Sequence, residues 1–159
     1  MLKLGNIGWK NYEVGWKDVR IDRATPLGNP FDMKGDETVR ALVCESHRHW
    51  LWQNLKMVLA GDNTPVDAGA YWHPLAPKWK SQSSTVIVGS LNDLMHRQKS
   101  EDLRLMCWCV QPDRAVRCHG HTVIKAIAWM EKEEKTWKGR QTWRSLVSEA
   151  ESPEPLVRP

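Results

Sequence analysis

Residues 103–110 read Leu-Arg-Leu-Met-Cys-Trp-Cys-Val, apolar at nearly every position, and after a short loop Cys118-His-Gly-His121 opens a stretch with helical periodicity. An apolar run without alternation is the signature of a strand covered on both faces. A strand, a loop and a helix whose first turn carries a thiol and two imidazoles form the unit from which α/β folds build ligand sites at strand carboxyl ends. The expected fold is therefore a small Rossmann-like α/β domain, three-layered, with a short, mainly parallel sheet.

The rest of the chain is read around that unit. Residues 1–17, with Gly5, Gly8 and Gly15 breaking any period, read as an N-terminal arm or hairpin. Residues 18–22 alternate polar and apolar and predict a first strand, stopped by a loop containing Pro26, Gly28, Asn29 and Pro30. Asp36 is a candidate cap for a long helix with apolar positions Val39, Leu42, Val43, Trp50, Leu51, Leu55, Val58 and Leu59, ending at Gly61. Residues 62–84 read as a surface insertion, and Ser90 with Asp93 as a capping box opening a helix to about Lys99. Residues 18–134 thus form the α/β domain, and 135–159 a charged, partly disordered tail.

Composition narrows the function classes. With 41% hydrophobic and 26% charged residues, no apolar run approaches the ~18 residues that cross a bilayer. The N-terminus lacks a signal-peptide core. A cytoplasmic protein without a membrane partner is expected, and Cys44, Cys107, Cys109 and Cys118 then read as free thiols, ligands or a nucleophile rather than disulfides. The net charge of +4 permits an anionic partner, but no run of five basic residues marks a nucleic-acid arm. Ten tryptophans stand against 2 tyrosines and 1 phenylalanine. Trp suits cores, base stacking and partner hot spots alike; spacing assigns Trp50, Trp108 and Trp129 to core or semi-core positions.

The thiols allow three readings. Cys107, Cys109 and Cys118 with His121, or with His119 in its place, are a zinc inventory. Strand positions two apart lie ~6.6 Å apart, whereas Zn–S bonds of ~2.3 Å call for sulfurs ~3.8 Å apart, so the strand must bend at Trp108 or only one of the pair can ligate. Buried free cysteines filling the core are the second reading. In the third, Cys118 beside Arg117 at a helix start is a nucleophile with a lowered pKa, with His119 or His121 as acid or base. Gly120 would let a phosphate or carboxylate approach the helix N–H groups.

The loop Arg23-Ala-Thr-Pro-Leu-Gly-Asn-Pro-Phe31 is the second candidate region. If the first strand runs parallel to residues 103–110, Arg23, Thr25, Gly28 and Asn29 reach the same sheet edge and grip an anionic or nucleoside ligand. The alternative is a rigid Pro/Gly corner. Cys44-Glu-Ser-His47-Arg-His49 reads as ordinary helix surface, with Glu45 and His49 on one face.

Arg23, Gly28-Asn-Pro-Phe31, Cys107-Trp-Cys109 and Cys118-His-Gly120 together resemble the bacterial and bacteriophage family known as domain of unknown function 4326, over roughly residues 19–130. His121 departs from the acidic residue common in that family after Cys-His-Gly. The resemblance implies a compact α/β fold, a phage or prokaryotic origin and a common site formed by the two loops. The leading functional expectation is binding of a nucleotide-like or other phosphorylated small ligand between the two loops, as an enzyme or as a sequestering protein. The alternatives are a zinc-stabilised module binding nucleic acid through basic and Trp side chains, and a phage protein binding a host protein through Trp-rich arms.

Overall fold

The computed structural model describes residues 1–8, 14–71, 82–111, 115–137 and 141–151. In chain order these form β1 (Leu2–Asn6), β2 (Trp16–Arg20), α1 (Arg40–Leu59), α2 (Ser84–Arg97), β3 (Asp102–Cys107), α3 (His119–Thr136) and α4 (Trp143–Glu151), with single 3-10 turns at Glu37–Val39 and Ala68–Ala70. The sheet is open and entirely parallel, with β3 between β1 and β2. This is a small α/β domain, as the apolar run at residues 103–110 predicts. No helix among the described residues is long and apolar enough to cross a membrane.

The central position of β3 follows from its composition. Leu103 and Leu105 are fully buried, and Leu4, Leu105 and Val19 stand level across the three strands. On the opposite face the Arg104 guanidinium is also buried. It grips the Asp18 carboxylate at 2.7 and 3.0 Å, in the fork geometry that suits an enclosed arginine. Gly5 makes room for it, since a Cβ there would lie 2.8 Å from the Arg104 and Met106 side chains.

Helix α2 packs against α1, α3 and α4, and α3 also meets β1. The buried stripe of α1 is Val43, Ser46, His47, Trp50, Leu51, Asn54, Leu55 and Val58, which turns the expected Leu42 and Leu59 to solvent. Two of its polar members are satisfied locally: Ser46 donates to the Tyr71 carbonyl, and Asn54 donates to the Trp50 carbonyl and accepts from Ser84, which also reaches the Thr64 carbonyl. The helix stops where Gly61 takes φ +71°, a conformation glycine adopts without a Cβ penalty.

Several boundaries differ from the sequence expectation. Residues 2–6, expected as part of an arm, form an edge strand. So short a segment with Lys3 and Gly5 carries little signal of its own, and its ladder partners lie in β3, far along the chain. The strand expected at residues 18–22 is β2, which ends two residues earlier because the Asp22 carbonyl already accepts the Thr25 N–H and hydroxyl of the next turn. Helix α2 is capped by Ser83, whose hydroxyl accepts from the Val86 N–H, whereas Ser90 sits mid-helix and donates back to the Val86 carbonyl. Trp108 is 59% exposed, because β3 ends at Cys107.

The largest difference is α4, within the segment expected to be a charged tail; residues 152–159 lie outside the described residues, as do 72–81 of the expected insertion. Trp143 is fully buried, donates its indole N–H to the Met130 carbonyl at 3.0 Å, and packs beside Trp129 and Trp137. Leu146 and Ala150 complete the same buried stripe. A helical triplet spaced three and four apart was legible there, but the surrounding charges diluted it. Trp143→Ala is expected to cost about 3–5 kcal/mol of unfolding free energy, measured by urea denaturation; a change below about 0.5 kcal/mol would return this segment to a tail.

Candidate metal centre

The end of β3 is shaped by Asn6, at the end of β1. Its amide donates to the Val110 carbonyl at 2.5 Å and the Trp108 carbonyl at 3.2 Å. The chain therefore turns at residues 108–109, Trp108 swings outward, and the Cys109 N–H comes back to the Cys107 sulfur at 3.3 Å. This turn removes the spacing problem of a regular strand and lets both sulfurs face one point.

Helix α3 supplies the other side. Cys118 is its N-cap, with Sγ accepting the Gly120 N–H at 3.3 Å. Gly120 is wedged against the sheet: a Cβ would lie 2.5 Å from Leu4 Cδ2 and 3.0 Å from Ile21 Cδ1. The absent side chain serves helix–sheet packing, not the approach of a ligand. His119 is buried, and its Nε2 lies 2.7 Å from the Ile21 carbonyl. A carbonyl only accepts, so Nε2 carries a proton and Nδ1 is left to the thiols, 3.6 Å from Cys107 Sγ and 3.9 Å from Cys109 Sγ.

Cys107, Cys109, Cys118 and His119 thus each offer a ligand atom, and these atoms all lie within 4.8 Å of one another. Hydrogen bonds from Cys107 and Cys118 hold the Cys109 thiol far below its ordinary range against the opposing effect of burial. Cys118 is driven far upward by its hydrogen bonds with Cys107 and Cys109 and by burial. Burial pulls His119 down, but hydrogen bonds and charge from Cys107 and Cys109 outweigh it and lift the imidazole to about 10. The expectation of a low-pKa nucleophile at Cys118 is not met: its sulfur is buried and faces two other sulfurs in the interior, which raises its pKa.

His121, expected as the fourth ligand, lies outside the cluster with Nδ1 3.2 Å from the Cys118 carbonyl. Helical residues two apart point about 200° around the axis from one another, to nearly opposite sides, so only one of the two imidazoles can face the sulfurs. His47, expected with its neighbours as ordinary helix surface, is in the interior instead, as is Ser46. His47 is fully buried on α1, edge-on to His119 at 5.1 Å between ring centroids, with neither nitrogen in a hydrogen bond. Burial and the neighbouring His119 hold it neutral, well below the usual histidine range. Its spacing from Val43, Trp50, Leu51 and Asn54 was the available signal, since all five fall on one helical stripe.

The loop at residues 23–31 turns upon itself. Arg23 donates to the Asn29 carbonyl at 3.2 Å and the Phe31 carbonyl at 3.0 Å, and pairs with Asp32 at 3.0 Å. The Asn29 side chain accepts the Phe31 N–H, and Thr25 donates to the Asp22 carbonyl. A Cβ on Gly28 would lie 2.3 Å from the Asp22 carbonyl oxygen. The residues expected to grip a ligand are thus engaged in building the corner that presents Ile21 to His119.

A groove of about 690 Å³ opens on the other flank of Cys118, between α1 and α3. Glu45, Arg48, Arg117, His121, Thr122 and Lys125 supply its polar lining, and Trp52 and Trp129 form an edge-to-face pair at 4.7 Å. Arg48 is paired with Glu45, and Arg117 and Lys125 line the groove on the side of α3. Cys44 also lines the groove, its thiol pushed up to about 11 by burial and by Cys109. Of the expected site residues, Cys118 and His121 line this groove, whereas Arg23, Thr25, Gly28, Asn29, His119 and Gly120 do not.

Residues 7–129 match the family model described as Domain of unknown function (DUF4326). No curated protein and no solved structure matches.

Gly28→Ala is expected to lower unfolding stability by about 2–3 kcal/mol, because the obstructing atoms are backbone and cannot rotate away. Arg23→Ala is expected to cost about 1–2 kcal/mol through the lost loop hydrogen bonds. Urea titration of both checks this; stability unaltered in both variants would argue against the corner.

Proposed function

The chain belongs to the domain of unknown function 4326 family, and on that footing we propose that it binds a nucleotide-like or other phosphorylated small ligand in the groove between α1 and α3. The observation that carries this reading is the pairing, in one groove of about 690 Å³, of Arg117 and Lys125 with the ring surfaces of Trp52 and Trp129. Pockets of this size suit small ligands, which are oriented by a few polar groups on mostly apolar walls. The cations match a phosphate, and the indoles offer a stacking surface to a planar base. The groove also includes Thr122 in the first turn of α3, and the helix dipole there favours negative charge.

The reading is one of binding rather than covalent chemistry. The Cys118 sulfur faces the buried cluster, and both nitrogens of His119 are committed to the Ile21 carbonyl and the thiols. The partner-binding alternative through terminal arms gains no support from the fold, because residues 2–6 and 143–151 are built into the sheet and core.

Thermal-shift and calorimetric titrations with a nucleoside monophosphate, a nucleoside triphosphate and inorganic phosphate test the proposal. A nucleoside phosphate is expected to raise Tm by linkage. Combining Arg117→Ala with Lys125→Ala should weaken binding by at least ~10-fold, equivalent to about 1.4 kcal/mol. Trp52→Ala should reduce the preference for nucleotide over inorganic phosphate. Absence of any shift at millimolar nucleotide, or unchanged affinity in the double variant, would sink the idea.

A further inference from the structure

We propose that Cys107, Cys109, Cys118 and His119 hold a single Zn²⁺ ion in a closed, structural tetrahedral site. This goes beyond the groove reading and does not depend on it. The donor atoms converge to within 4.8 Å of one another, the scale of a mononuclear site, in which tetrahedral Zn–S bonds of ~2.3 Å place sulfurs ~3.8 Å apart. Three thiolates and one imidazole form a soft donor set that selects zinc over the hard, oxygen-seeking cations. They also fill four positions, whereas catalytic zinc keeps one for water or substrate.

Three features separate this cluster from cysteines that merely fill a core. The Cys109 and Gly120 N–H groups point at the sulfurs of Cys107 and Cys118, each at 3.3 Å, a donor arrangement suited to thiolate charge. The Ile21 carbonyl fixes the His119 ring through Nε2, leaving Nδ1 aimed at the sulfurs, as a backbone carbonyl orients a metal-bound histidine. Positive charge is also near: the Arg40 guanidinium, paired through two hydrogen bonds with Glu37, reaches the Arg117 carbonyl at 3.4 Å and lies within electrostatic reach of Cys109 and Cys44. With Zn²⁺, three thiolates and a neutral imidazole sum to a charge of minus one, which that cation partly offsets.

On binding, each coordinating thiol that still carries a proton loses it to solvent, as does the imidazolium of His119 from Nδ1 while Nε2 keeps its proton on the Ile21 carbonyl; the freed sulfur and nitrogen lone pairs then form the S–Zn and N–Zn bonds. No electron transfer is involved. The ion joins the end of β3, the turn after it and the start of α3, and reaches the end of β2 through His119 and Ile21. It also fixes Cys118, which lines the groove.

The test uses the full chain. Elemental analysis together with native mass spectrometry should find one zinc per chain, released on acidification because protons compete for the thiolates. Chelation should lower Tm, and Co²⁺ added to the chelated wild-type chain should give the thiolate charge-transfer and intense d–d bands of a tetrahedral sulfur-rich site. Cys109→Ser should weaken zinc binding by more than the ~10–100-fold that loss of an outer-shell partner costs, whereas Cys44→Ser should leave stoichiometry and the Co²⁺ spectrum unchanged. The wild-type reconstitution does not rely on any variant folding. Failure to take up zinc or Co²⁺, the visible absorbance of an iron–sulfur cluster, or undiminished zinc affinity in Cys109→Ser would overturn the proposal.

Discussion

The hydrogen bond from His119 Nε2 to the Ile21 carbonyl, 2.7 Å long and sealed from solvent, is the contact on which the arrangement of the site depends. Ile21 extends the β2–β3 ladder, its N–H donating to the Met106 carbonyl at 3.0 Å. The imidazole therefore joins the end of β2 to the start of α3 directly beside the end of β3. Because a buried carbonyl needs a donor and a buried imidazole needs its proton placed, the same bond decides which ring nitrogen faces the sulfurs. The corner at residues 23–31 follows from it: Arg23, Thr25, Gly28 and Asn29 hold one another so that the chain can leave Ile21 sharply and enter α1.

Cys118 stands between two environments. Its sulfur belongs to the buried cluster, and the residue also lines the α1/α3 groove. Such a position couples the rigidity of the interior to the shape of a surface site. A groove lined by cations and indoles gains affinity when its walls are already in place, because less side-chain and loop entropy is lost on binding. A metal at the cluster would supply that preorganisation, and the buried His47 ring behind His119 contributes the same way as an apolar backing.

Much of this was legible in the sequence, and the parts that were not share a cause. The uninterrupted apolar run at residues 103–110, the long periodic helix and the Cys-His turn carry local signals strong enough to place β3, α1 and α3. Conversion of the Cys107–Cys109 strand into a turn was anticipated only as one of two options, since it depends on Asn6 reaching across from β1. Strand β1 and helix α4 left faint traces, a few apolar residues amid glycine or charge, and their identity rests on partners remote in the chain. Trp108 and Trp143 exchanged their expected environments, the first exposed by the end of a strand and the second buried by a helix that docks on α2.

The sequence by itself determined the inventory: three thiols and adjacent imidazoles at one strand–loop–helix junction, a parallel α/β framework and a glycine-proline corner. These are consequences of hydrophobic period, turn chemistry and residue type, which act over a few neighbours. Only the tertiary structure decided that His119 rather than His121 meets the sulfurs, that Arg23 is engaged by its own loop, and that Arg117, Lys125, Trp52 and Trp129 share a groove. Those outcomes depend on which face of a helix lies against the sheet and which carbonyl lies within hydrogen-bond reach. Such choices are made by packing between segments that no local pattern relates.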